Sequence, residues 1–247
     1  MILTAHQPVY LPWLGLFHKI ALADKYVLLN EVQYLHRDWM NRNKIKTGSG
    51  LIWLTVPVLH KEHRGDITSK KKIYNDDNWM KKHLDAIYFN YKKTPFFEDY
   101  YPFFEDVYNK EWLFLADLNE YMLKWFLKEL NINTEFVKDS DYTFEGDKSD
   151  LIVDMCKKLD ADTYIFGKLG KDYAIKQDFD NAGIKLIFQD YNHPQYPQRF
   201  GEFAPNLSII DLLFNCGPKS YEILMSNNMI KSDLKKDTEN KNKCCKL

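Results

Sequence analysis

The chain has almost no net charge, with 34 Lys and Arg against 35 Asp and Glu in 247 residues. Without a global field, nothing draws in nucleic acid or an anionic membrane surface, so an anionic ligand has to be held by a local pocket. Cysteine is scarce. Cys156, Cys216, Cys244 and Cys245 have neither the paired spacing of a zinc site nor the density of a disulfide framework, so a reducing cytoplasm is the expected compartment. No apolar run reaches the length of a membrane span, and the first residues lack the basic segment, apolar stretch and cleavage site of an export signal. Glycine is sparse, and the Gly167 and Gly170 turn is only a weak outline of a phosphate loop.

What is present is apolar and aromatic. Hydrophobic residues make up 45% of the chain, enough for a sizeable core, and aromatic residues 15%, a type that lines sugar and nucleotide clefts as well as cores. Short β-rich runs at Ile2 to Ala5, Lys25 to Leu29, Leu51 to Leu59, Asn133 to Val137, Thr163 to Phe166 and Ile184 to Phe188 read as strands. Helical periodicity follows Pro12, runs from Asn78 to Thr94, Phe96 to Tyr108 and Trp112 to Leu130, and returns after the expected caps Ser149 and Asn206. Strands alternating with helices predict an α/β fold with a mainly parallel, three-layer, Rossmann-like sheet. The three helices over about 77–131 predict a helical insertion or cap within one domain, 1–226. Residues 227–247, rich in Lys, Asn and Asp, predict a disordered polar tail, and the CCKL at its end reads as chance.

The densest chemistry lies at residues 2–20. His6 and Gln7 end the first strand where Pro8 interrupts it, and in open α/β sheets ligands bind at that carboxyl end, beside helix N-termini. Tyr10, Trp13 and Phe17 fit either a cleft or ordinary core. The polar stretch 30–50 reads as a long loop carrying Trp39, Asn41, Arg42 and Lys44: a stacking face, a planar fork and a point charge. A second polar and aromatic loop, Asp190 to Phe203, contains Tyr196. Asp211 lies in an apolar helix and needs a partner, structural or catalytic. His83 faces either the cap's core or the cleft below it. His60, Glu62 and His63 lack a third ligand at metal-binding spacing and read as a polar turn, and Lys70 to Lys72 as a solvated run.

The run HQPVYLPWLGLFHKI, followed by ADKYVLLNEVQY, DWMNRNKIK, LTVPV, NWMKKHLDAI, YKKTPFF and FAPNLSIIDLLFNCG, resembles the WbqC-like family of bacteria over roughly residues 1–225. That resemblance implies a setting among genes for surface polysaccharides of the O-antigen type that make and modify amino sugars. It implies an enzyme acting on a nucleotide-linked amino sugar, a transferase moving an N-acyl or aminoacyl group. In that reading His6 is the catalytic base and Asp211 orients it or the amine. Gln7, Tyr10, Trp13, Trp39, Asn41, Arg42, Lys44, His83, Asp190 and Tyr196 are the candidate substrate-binding residues. No cofactor is expected beyond an activated acyl donor, and other enzymes of the pathway are candidate partners.

A weaker likeness is that of Pro12-Trp13-Leu14-Gly15 to the P-H-x-G-H turn of nucleotidylyltransferases, whose two histidines are absent here. Nucleotidyl transfer therefore stays as one alternative. A non-catalytic protein that binds a sugar nucleotide or a partner is another.

Overall fold

The computed structural model describes residues 1–36, 38–59, 65–168, 170 and 174–234. The chain opens with β1 (Ile2–His6), α1 (Leu14–Leu22) and β2 (Lys25–Leu28). A hairpin follows, β3 (Arg42–Thr47) and β4 (Gly50–Thr55), and then three cap helices: α2 (Trp79–Tyr91), α3 (Phe97–Tyr108) and α4 (Leu115–Glu129). The sheet resumes with β5 (Glu135–Lys138), α5 (Lys148–Lys158), β6 (Thr163–Phe166), α6 (Lys176–Asn181) and β7 (Lys185–Phe188). Helices α7 (Ile209–Cys216) and α8 (Ser220–Met225) come last.

Five parallel strands form one sheet in the order β5-β2-β1-β6-β7. This is a doubly wound sheet whose order reverses between β1 and β6. Its central strands are buried on both faces, hence their near-continuous apolar sequences. Period-two alternation divides the core. Tyr26 and Leu28 pack with α1, the cap and α7, whereas Leu3, Ala5, Val27, Tyr164 and Phe166 pack with α5 and Phe179 of α6. The mainly parallel three-layer α/β architecture with a helical cap is therefore present.

Several local expectations need correction. The stretch 30–50 is not one loop: Arg42–Thr47 pairs antiparallel with Gly50–Thr55, and this hairpin stands apart from the main sheet. The strand expected over 51–59 thus ends at Thr55 and is not a sheet strand. Ser149 lies inside α5, which starts after Asp147, and its Oγ accepts from the Ile175 amide at 2.9 Å. Ser208, not Asn206, caps α7, accepting from the Ile210 amide. Lys71 is fully buried, its ammonium 5.0 Å from the Tyr34 ring centre, so the lysine run is not uniformly solvated. Residues 227–234, expected in a disordered tail, are packed. Lys231 pairs with Asp24 at 2.7 Å, the Met229 carbonyl lies 3.0 Å from His18 Nε2, and Leu234 is buried. His60, Glu62, His63, Cys244 and Cys245 lie outside the described residues.

Candidate functional site at the carboxyl end of the first strand

The strand-order reversal opens a fork. β1 pairs with β2 along its length to His6↔Leu28, but its register with β6 runs only through Ile2↔Thr163 and Leu3↔Tyr164. The Thr4 hydroxyl still reaches the Ile165 carbonyl at 2.8 Å. Beyond it the strands part, and the Ala5 carbonyl, on the β6 side, accepts instead from Lys19 Nζ at 3.0 Å. A crevice at such a reversal is where doubly wound sheets bind ligands.

One wall of this region is aromatic. The His6 ring meets Trp13 edge to face at 5.6 Å between centroids, Trp13 lies 6.0 Å from Trp39, and Trp39 5.3 Å from Trp53. The hairpin produces this row. Alternation puts Arg42 and Lys44 on one face of β3, and the register sets Lys44 opposite Trp53 and Arg42 opposite Thr55. Both the Arg42 guanidinium and the Lys44 ammonium therefore lie 4.7 Å from the Trp53 ring centre. Asn43 and Ile45, on the other face, are buried. Trp53 is 43% exposed although it is a large aromatic ring with two cations against it. Cations over an exposed indole contribute about 0.5–1 kcal/mol each, so they orient the groups without locking them.

His6 is half-buried, and its Nδ1 lies 2.8 Å from the Gln7 carbonyl. A carbonyl can only accept, so Nδ1 carries the hydrogen and Nε2 keeps its lone pair. Burial, then the charge of Lys19, pull the imidazole down to about 3, so it is neutral at pH 7. Lys19 is itself pulled down to about 7 by burial.

The remaining expected residues separate into groups. Gln7 Nε2 holds the Gln33 carbonyl at 3.0 Å, and the Asn41 side-chain amide holds the Val56 carbonyl at 2.8 Å. Tyr10 and His83 are buried under the cap, hydrogen-bonded to each other at 2.8 Å, with Tyr108 bonded to Tyr10. They pack as core, one of the two placements open to each from the sequence, away from the tryptophan row.

Asp211 shares no hydrogen bond with His6. Its face of α7 turns toward α2, where Tyr91 donates to Oδ1 at 3.0 Å, while Oδ2 and the buried Tyr196 hydroxyl lack well-formed bonds. Burial lifts this carboxyl to about 6, against the opposing pull of the Tyr91 hydrogen bond. The expected His6 and Asp211 pair is therefore not formed, and Tyr196 belongs with Asp211 rather than with the tryptophan row.

The loop after β7 still meets the same region. A side chain at Gly15 would press on Trp13 and Tyr191 at 3.2 Å, and Gln198 and the Glu202 carbonyl accept from Lys46 on the Arg42 face of β3. Asp190 is exposed. Trp53 and Lys19 also belong to this region, outside the expected set. A lysine inside the otherwise apolar LGLFHKIAL helix was the signal for the second, and Trp53 shows only once the hairpin register is known.

A cavity of about 220 Å³ lies at the amino ends of the strands, lined by Asp24, Asn131, Asn133 and Lys231 among others. It is remote from this chemistry, at the wrong end of the sheet for the fold's usual site. Among the described residues, no His, Cys, Asp or Glu groups of three are arranged for a metal, and no helix is long and apolar enough to cross a membrane.

The structure is thus a doubly wound α/β domain with cations and indoles beside the end of its first strand. The chain belongs to the WbqC-like protein family, whose pattern matches residues 7–223. It is 33% identical over 220 residues to the uncharacterized protein Rv1507c of Mycobacterium tuberculosis (strain ATCC 25618 / H37Rv), covering 88% of this chain and 95% of that relative. No solved structure matches.

Proposed function

We propose that this protein is an enzyme of surface-polysaccharide assembly that transfers an acyl or aminoacyl group to the amine of a nucleotide-linked sugar. The observation that carries this reading is the row His6, Trp13, Trp39 and Trp53 with Arg42 and Lys44 over its exposed end. An indole face suits the apolar side of a sugar ring or a base, and the paired cations suit phosphate or the donor's carboxylate. At the other end of the row, the sugar amine attacks the acyl carbonyl carbon, the activating group departs with the bonding electrons, and His6 Nε2 takes the amine's proton.

The low basicity of His6 favours one competitor, a protein that binds a sugar nucleotide without turning it over. The discriminating experiment incubates the protein with nucleotide-linked amino sugars and acyl thioesters or activated amino acids, and follows N-acylated product by mass spectrometry. Product that depends on His6 supports the transferase. Tight binding of the sugar nucleotide with no product from any donor supports the binding protein.

A further inference from the structure

Lys19 takes no part in the row described above. It is 4% exposed, and its ammonium has three donors but one hydrogen-bond acceptor, the Ala5 carbonyl. No carboxylate pairs with it among the described residues. Lysine is almost never buried without a partner, because a desolvated charge is costly. A conventional ladder would fill the place: a β6 amide would bond the Ala5 carbonyl if the strands stayed together, but they part after Leu3↔Tyr164.

Helix geometry explains how the amine arrives. Side chains on a helix lean toward its N-terminus, so Lys19, in the second turn of α1, reaches back along the helix to the end of β1. The first turn of α1 contains no acidic residue, and its N-cap, Trp13, supplies no side-chain hydrogen bond. The unfilled hydrogen-bonding capacity of Lys19 thus lies at the strand fork.

We propose that the fork between β1 and β6 is a binding site for a phosphate-type oxyanion, held by the Lys19 ammonium beside the uncapped start of α1. The proposal rests on the strand-end crevice being the ligand site, but not on acyl transfer. It names the holder of the substrate's phosphate and leaves Arg42 and Lys44 to the far end of the indole row. It also gives Lys19 an effect on chemistry. Once an anion compensates the ammonium, the smaller of the two causes that depress His6 is offset, while burial, the larger, remains.

The test is thermal unfolding of the full chain in inorganic pyrophosphate against sodium chloride at equal ionic strength, for the wild type, Lys19→Met and Lys19→Gln. The glutamine keeps a donor for Ala5 without the charge, so it guards against a methionine variant that fails to fold. The wild type should gain several degrees in Tm in pyrophosphate, and both variants, folded in chloride, should gain none. An equal gain in wild type and variants, or no gain in the wild type, overturns the site. A pyrophosphate gain that needs Lys19, in a protein that makes no N-acylated product, leaves this site standing while the transferase reading fails.

Discussion

His6 meets Trp13 edge to face, 5.6 Å between ring centres, and through that one contact the end of the first strand is joined to the tryptophan row of the hairpin. The contact follows from chain order. His6 is the last residue of β1 and Trp13 is the N-cap of α1, so a six-residue connection folds them together at the carboxyl end of the central strand. An aromatic contact of this kind is worth about 0.5–1.5 kcal/mol beyond its burial, enough to fix the imidazole's plane.

Replacing His6 by Asn should therefore separate rate from stability. Turnover in the N-acylation assay should fall roughly a hundredfold, the typical contribution of a positioned base. The melting temperature should shift little, because Asn can still donate at the strand end. Unchanged turnover in the variant removes His6 as the base.

Asp211 is expected to act on stability instead. Its carboxyl stands at about 6 in the fold against 3.8 when exposed, so the native state binds the extra proton between those values. Stability contributed by this group therefore falls as pH rises from about 4 to 6, and the deficit is full above 6. Asp211→Asn keeps an acceptor for Tyr91 and should recover up to about 3 kcal/mol at pH 7, from about two units at 1.4 kcal/mol each. At pH 4 the gain should largely vanish. Chemical denaturation at the two pH values measures it, and a loss of stability at pH 7 would show that the ionised form is the one the fold needs.

Truncation after residue 226 should destabilise the domain. It removes the Lys231 and Asp24 pair, the His18 contact at Met229 and the buried Leu234. A buried leucine alone is worth about 1.5–3 kcal/mol, so a drop of several degrees in Tm is expected. An unchanged Tm would mean that the packing of 227–234 contributes nothing.

Much of the frame was legible because its signals are local. The apolar runs at Ile2, Lys25 and Thr163 announced parallel strands, and the periodicity of α2 to α4 announced the cap. The partners were not legible. Asn41 to Lys46 is as polar as a loop, yet Asn43, Ile45, Lys46 and Thr47 of β3 are buried, which only the hairpin register reveals. Asp211 called for a partner, but the choice between His6 and Tyr91 depended on which way α7 turned. Polar composition hid the packing of 227–234, because hydrogen bonds, one ion pair and a lone buried leucine anchor it rather than an apolar stripe.

The central claim, that the indole row beside His6 holds a nucleotide-linked amino sugar, is tested most directly by calorimetric titration of such sugars into the wild type and Trp53→Ala. Removing Trp53 gives up its two cation contacts and the Trp39 ring, so the Tm should fall by a few degrees while the domain stays folded. Stacking on an indole is worth about 1–3 kcal/mol, so Kd should rise about tenfold or more. Equal affinity in the two proteins, with both folded, would contradict the placement of the sugar on this wall.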